Sequence, residues 1–164
     1  KTELQKELKI NLVILEAVIN NLKADYLNIY NNLLFLNTHI ITYSSQEEQE
    51  ITHIINILNK EKFQSINDLK NSFDITQEKL ETLLETLTYQ SVVSELSDKV
   101  FVKTDFWLEI IIKIKAFLTQ EDKITTSQAK DFIGTTRKYI IPVLETLDKM
   151  QITKREGDFR ILKK

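Results

Sequence analysis

Apolar residues recur along this chain at helical spacing, in blocks separated by short polar stretches. Ile51, Ile54, Ile55 and Leu58 mark one face of a helix predicted from Gln46 to about Lys60. A short helix follows over Ser65 to Ser72, behind a polar cap. Thr76 is placed to cap a third helix that runs to about Tyr89, with Lys79 where a full capping box would carry Glu. Val92 to Lys103 alternates apolar and polar residues about Ser97-Asp98, the pattern of a two-stranded hairpin. The order then returns. Phe106, Ile110, Ile114 and Phe117 mark a first helix and Ser127 to Ile133 a second. After a turn at Gly134-Thr135 a third runs from about Thr136 to Met150, and Ile152 to Leu162 forms a hairpin about Glu156-Gly157-Asp158.

The recurrence is visible in the residues themselves. A shift of 60 lays Leu80, Leu83, Leu84 and Leu87 onto Ile140, Val143, Leu144 and Leu147, and Glu85-Thr86-Leu87 onto the identical Glu145-Thr146-Leu147. A shift of 65 lays Leu4, Leu8, Ile10, Leu15, Val18, Ile19 and Leu22 onto Leu69, Phe73, Ile75, Leu80, Leu83, Leu84 and Leu87. Three helices followed by a hairpin is the winged-helix pattern. The expected fold is mainly α with small β-wings: tandem winged-helix units, each a helix-turn-helix plus a β-hairpin, in an elongated array. The expected division is residues 1–44 as a partial winged helix lacking its first helix, 45–104 as a winged helix and 105–164 as a second complete one. Units of about 60 residues have marginal cores alone, so neighbours are expected to pack on one another.

Composition sharpens this picture. The 164 residues include 2 Gly, 1 Pro and no Cys, where an average chain would carry about 11 Gly and about 8 Pro. Folds built on many glycine corners, such as β-sandwiches, Rossmann units and P-loop enzymes, are disfavoured. Without Cys there is no disulfide framework and no thiolate metal site. Apolar runs such as Leu12–Leu15 are too short to cross a bilayer, and the polar stretch Lys1 to Lys9 is no signal peptide. The chain begins without Met and is read as a cytoplasmic piece of a larger protein, with no membrane partner and monomeric. The net charge of −2 hides an asymmetry. Residues 123–164 hold ten Lys and Arg against five Asp and Glu, a net of +5, whereas residues 1–122 sum to −7. The basic end also holds both glycines and the proline, and it points to a polyanionic partner.

Catalysis finds little support. His39 and His53 lack ligand spacing, and the sequence has neither a Gly-x-Ser-x-Gly elbow nor a phosphate-cradling loop. Glu81 and Glu85 sit at the helical spacing of a solvated face. Trp107, among apolar residues at a helix start, is read as core or inter-unit packing. No enzyme activity, metal or cofactor is expected of these residues.

Binding is more informative, because a helix-turn-helix offers the N-terminal residues of its last helix to a nucleic acid. Those positions are Leu12, Val13 and Ile14 in the first unit, Gln77, Glu78 and Lys79 in the second, and Arg137, Lys138 and Tyr139 in the third. Only the last set suits phosphate. The second hairpin carries Glu95, Asp98 and Lys99, and the third carries Lys154, Arg155 and Arg160 about Gly157. Helix dipole and first-turn N–H groups add to the attraction for anions, and Thr135 and Thr136 can donate hydroxyls. Gly134 and Gly157 also have plain backbone roles, as a helix terminus and a hairpin turn. Pro142 falls inside a predicted helix, where it removes a hydrogen bond and is expected to kink it. A DNA-binding transcription regulator and a protein-interaction scaffold remain the alternatives, the latter resting on Leu12, Val13 and Ile14.

The stretch Gly134-Thr135-Thr136-Arg137-Lys138-Tyr139, with Pro142, Leu144-Glu145, Leu147-Asp148, Thr153-Lys154-Arg155, Gly157-Asp158, Arg160 and Leu162, resembles the end of the bacterial selenocysteine-specific translation elongation factors, SelB. The resemblance implies mRNA binding. In that family the last winged helix grips the loop of a stem-loop, the SECIS element, beside a UGA codon, and so directs selenocysteine incorporation. It implies RNA contacts at Gly134, Thr135, Arg137, Lys138, Lys154, Arg155 and Arg160. Upstream winged helices are then spacers. Partners implied for the whole protein are the ribosome and selenocysteyl-tRNA, and its cofactor is GTP, held by a part that this chain lacks.

Overall fold

A computed structural model of the chain describes residues 2–23, 25–30 and 33–163; Lys1 and Lys164, the ends of the outer units, lie outside the described residues. The chain divides into two compact units, residues 1–44 and 45–164.

In the first unit, helices α1 (Thr2–Leu8) and α2 (Leu12–Leu22) precede strands β1 (Leu27–Tyr30) and β2 (Leu33–Leu36). Asn11 caps α2 by accepting a hydrogen bond from the Val13 N–H at 2.8 Å. The strands pair antiparallel, Leu27 opposite Leu36. Of α2 only Leu15 and Ile19, one turn apart, are buried. Leu12, Val13, Ile14, Val18 and Leu22 are exposed, Val13 at 73%.

The second unit runs through helix α3 (Ser45–Glu61), strand β3 (Phe63–Ser65), helices α4 (Ile66–Lys70) and α5 (Gln77–Tyr89), and strands β4 (Val93–Leu96) and β5 (Val100–Lys103). It then repeats the order with helix α6 (Thr104–Glu121), strand β6 (Lys123–Thr125), helices α7 (Thr126–Ile133) and α8 (Arg137–Lys149), and strands β7 (Thr153–Glu156) and β8 (Phe159–Leu162). This is the winged-helix fold, twice. The short strands β3 and β6 go beyond the sequence pattern. Each joins its hairpin in a three-stranded antiparallel sheet, in the orders β3-β5-β4 and β6-β8-β7. Three residues are too few to display a period, and the last residue of each strand is also a helix cap. Ser65 and Thr125 close capping boxes with Asp68 and Gln128.

Side-chain alternation along β5 explains how the two winged helices join. Phe101 faces the core of the first, with Ile54, Leu58, Leu69, Leu80, Leu84 and Leu87. Val100 and Val102 face the other way, into a core with Trp107, Ile110, Ile114, Ile140, Val143 and Leu144 of the second. A strand buried on both faces reads as the unbroken apolar run Val100-Phe101-Val102. Trp107 packs in this shared core, and no loop separates β5 from α6. Ser97, in a 3-10 turn between β4 and β5, adds polar contacts, its N–H donating to the Thr146 hydroxyl at 2.8 Å and its hydroxyl accepting from Lys149 at 3.0 Å. Pro142 is buried in the sixth position of α8, and the helix runs through it to Lys149.

Candidate nucleic-acid interface

The corner between α7 and α8 is built by Gly134. It caps α7 in the left-handed conformation (φ 74°, ψ 45°), and its N–H and that of Thr135 both return to the Lys130 carbonyl. A Cβ on Gly134 would meet nothing within 4 Å, so the requirement is for backbone conformation and not for space. The next helix opens without a side-chain cap. Thr136 stands in the N-cap position but makes no cap hydrogen bond, whereas Thr76 closes the equivalent turn of α5 by accepting from the Lys79 N–H at 3.2 Å. The first turn of α8 carries Arg137 and Lys138 and no acid, while that of α5 carries Glu78. Gly134, Thr136 and Arg137 are exposed, and Thr135 is half-buried. The corner thus presents open helix N–H groups, a hydroxyl and a guanidinium to solvent, the donor set of an anion site.

Lys138 and Tyr139 reach toward the preceding winged helix, Lys138 remaining exposed. The Lys138 ammonium and the Tyr139 hydroxyl both donate to one carboxylate oxygen of Asp68, at 2.5 and 3.1 Å. Tyr139 also stacks on Phe63, ring centres 5.6 Å apart, and Phe63 meets Phe106 edge-on at 5.5 Å. Burial raises the Asp68 pKa, but hydrogen bonds from Lys138, Ser65 and Tyr139 outweigh it and hold the carboxyl at about 2. The same Asp68 bond raises the Lys138 ammonium above its ordinary value. Burial, and then the Asp68 charge, raise the Tyr139 phenol. Asp68 was not singled out in the sequence; its only local signal is Ser65-x-x-Asp68, and its use by α8 is a contact across 70 residues.

The wing divides its cations. Lys154 and Arg155 are exposed on β7, Lys154 paired with Glu156 at 3.2 Å and Arg155 donating to the Gly157 carbonyl at 3.1 Å. Gly157 has φ 61° at the first position of a two-residue turn, where primed hairpin turns call for glycine. Arg160, expected at the RNA surface beside them, is turned inward instead. Its side chain is 8% exposed, and it donates to Asp148 at 3.1 Å and to the Thr126 hydroxyl at 3.4 Å. The period of two along β8 places it on the core side, where Asp148 neutralises it. The wing follows the C-terminal end of α8 in the chain, and the Gly134 corner precedes its N-terminal end.

Elsewhere, His53 packs edge-on against Phe73 at 4.7 Å, and no three metal-ligating side chains cluster among the described residues.

Residues 116–162 match the family described as elongation factor SelB, winged helix. A selenocysteine-specific elongation factor of Desulfomicrobium baculatum is 30% identical over 90 residues, 55% of this chain and 14% of that protein. Among solved structures, the mRNA-binding domain of elongation factor SelB from E. coli, in complex with SECIS RNA, matches 74% of this chain and 100% of its own length, with TM-score 0.61 and 20% identity. A bacterial selenocysteine-specific elongation factor, EF-Sec, matches 100% of this chain and 26% of its own length, with TM-score 0.58 and 23% identity. The chain therefore spans a small part of the whole elongation factors it matches, and the structural likenesses carry the fold. Residues 116–162 thus match a winged helix of the elongation factor SelB family, and the chain carries a tandem winged-helix fold like that of the two solved structures.

Proposed function

We propose that this chain is the mRNA-binding region of a selenocysteine-specific elongation factor, and that its last winged helix grips a SECIS stem-loop to direct selenocysteine incorporation at UGA codons. One observation carries the reading. The winged helix that matches the SelB family is also the one whose recognition-helix start and wing expose Arg137, Lys154 and Arg155. The proposed contacts are the backbone and hydroxyl at Gly134 and Thr135, with Arg137, Lys138, Lys154 and Arg155 on phosphate. RNA suits this surface better than duplex DNA. The A-form major groove is too narrow for a helix, so recognition falls on loops with splayed bases, which a corner and a short wing can grip. Residues 1–44 and the first complete winged helix serve as spacers. The whole protein would work in the cytoplasm as a GTP-dependent factor, with the ribosome and selenocysteyl-tRNA as partners through parts outside this chain.

The test is fluorescence anisotropy of the chain with an RNA hairpin and with duplex DNA across a salt series. Tighter binding to the hairpin is expected, weakening steeply with salt. Arg137→Ala combined with Arg155→Ala should abolish it. Equal or tighter binding to the duplex would overturn the RNA reading in favour of a DNA regulator.

A further inference from the structure

The inner face of the last wing differs from that of its neighbour in a way the shared fold does not require. Strand register equates Phe101, whose strand mate β3 pairs Phe63 with Val102, with Arg160, whose strand mate β6 pairs Lys123 with Ile161. By the same comparison Val93 corresponds to Thr153, Thr88 to Asp148 and Ile66 to Thr126. The first winged helix fills this place with apolar groups; Phe101 and Val93 are both core residues there. The last one builds a polar cluster at the same depth. The Arg160 guanidinium donates to one Asp148 oxygen, the Thr153 hydroxyl donates to the other at 2.5 Å, and the Thr126 hydroxyl accepts from Arg160. Arg160 and Thr153 are both buried.

A buried ion pair is no better for stability than well-packed apolar groups, because each charge is first stripped of water. Directional bonds supply orientation instead. These three tie α7, α8, β7 and β8 together at one carboxylate and one guanidinium. Arg160 is moreover the direct cross-strand partner of Arg155, so the two side chains share a face of the wing. Like charges so placed repel each other, and Asp148 neutralises the inner one while Arg155 remains at the surface.

We propose that Asp148, Thr153 and Arg160 are positioning residues that hold the wing at a set angle to α8, and that Arg160 acts on RNA through Arg155 and Lys154 without touching it. The proposal rests on the RNA-binding reading above. It assigns a different role to the third wing cation from that of the exposed two.

The deciding variant copies the neighbour. Asp148→Thr with Thr153→Val and Arg160→Phe should fold and melt close to the parent, since this filling already packs in residues 45–103. It should bind the RNA hairpin about tenfold more weakly, with the slope of log K against log salt unchanged. Arg155→Ala, in contrast, should shallow that slope by about 0.7 to 0.9, the share of one phosphate. Asp148→Asn alone should weaken binding, although it removes a negative charge, and Arg160→Lys should retain part of the affinity that Arg160→Met loses. In the free chain, amide hydrogen exchange at Lys154, Arg155 and Glu156 should speed up in Asp148→Asn while α8 stays protected. Three results would overturn the proposal: parent-like affinity in the triple variant, a slope reduced in Arg160→Met as in Arg155→Ala, or tighter binding by Asp148→Asn. If the parent itself fails to bind the hairpin, the RNA reading falls. Unchanged wing exchange in Asp148→Asn would then also dismiss the orienting role.

Discussion

Asp68 shows how one carboxylate can serve two neighbours. Within its own winged helix it completes the capping box with Ser65, and across the shared core it receives Lys138 and Tyr139. Its pKa falls from 3.8 to about 2, so the stabilisation from its charge is present in full above about pH 4 and is lost as pH drops through 2. Thermal unfolding between pH 4 and pH 2 should therefore show a decline in melting temperature that Asp68→Asn flattens. The pair is partly exposed, and added salt should blunt it. Backbone conformation is the other matter settled residue by residue. Gly134 and Gly157 have positive φ, but so do Lys9, Lys62, Ser91, Asp98, Lys99, Asp122 and Gln151. The scarcity of glycine had suggested few corners, yet the corners exist and other residues occupy them. Lys62 and Asp122 end the first helix of each winged helix, and Ser91 and Gln151 follow the third, each pair 60 residues apart. A left-handed L-residue costs about 1 kcal/mol. Gly134→Ala should accordingly destabilise by about 1 kcal/mol in chemical denaturation, while Asp122→Gly should gain about 0.5 kcal/mol once the entropy of glycine is subtracted.

At the scale of elements, the longer helices were legible because they display an apolar face, and Thr76 marked the start of α5 as the sequence suggested. The strands β3 and β6 were not, since three residues carry no period and their pairing partners lie more than 30 positions away. The hairpin β4–β5 was legible from its alternation of apolar and polar residues. Its second strand is buried on both faces, and the reason is tertiary: the outer face of β5 is the floor of the next winged helix. This makes neighbouring positions on β5 answer different questions. Phe101→Ala should cost about 3 to 5 kcal/mol by hollowing the core of the first winged helix. Val102→Asp should instead part it from the second, exposing Trp107, with a red shift of tryptophan emission as the measurement.

Across the whole molecule, the charge asymmetry of the sequence locates the basic winged helix, and the family match at residues 116–162 falls on that same winged helix. Which cations face outward is a separate matter. Arg137, Lys154 and Arg155 are exposed, Lys138 is engaged by Asp68, and Arg160 is buried against Asp148. The RNA affinity of the chain should therefore follow the first three most directly, and each removal should shallow the salt dependence of binding by roughly one phosphate equivalent. Repeats, helix faces, turn residues and net charge follow from the sequence alone, because they depend on composition and on spacings of a few residues. The sheets' third strands, the core common to both winged helices, and the division of five cations among exposed surface, neighbour and interior depend on groups far apart in the chain. Only the tertiary structure decides those, since a side chain's charge is local but its partner and its burial are not.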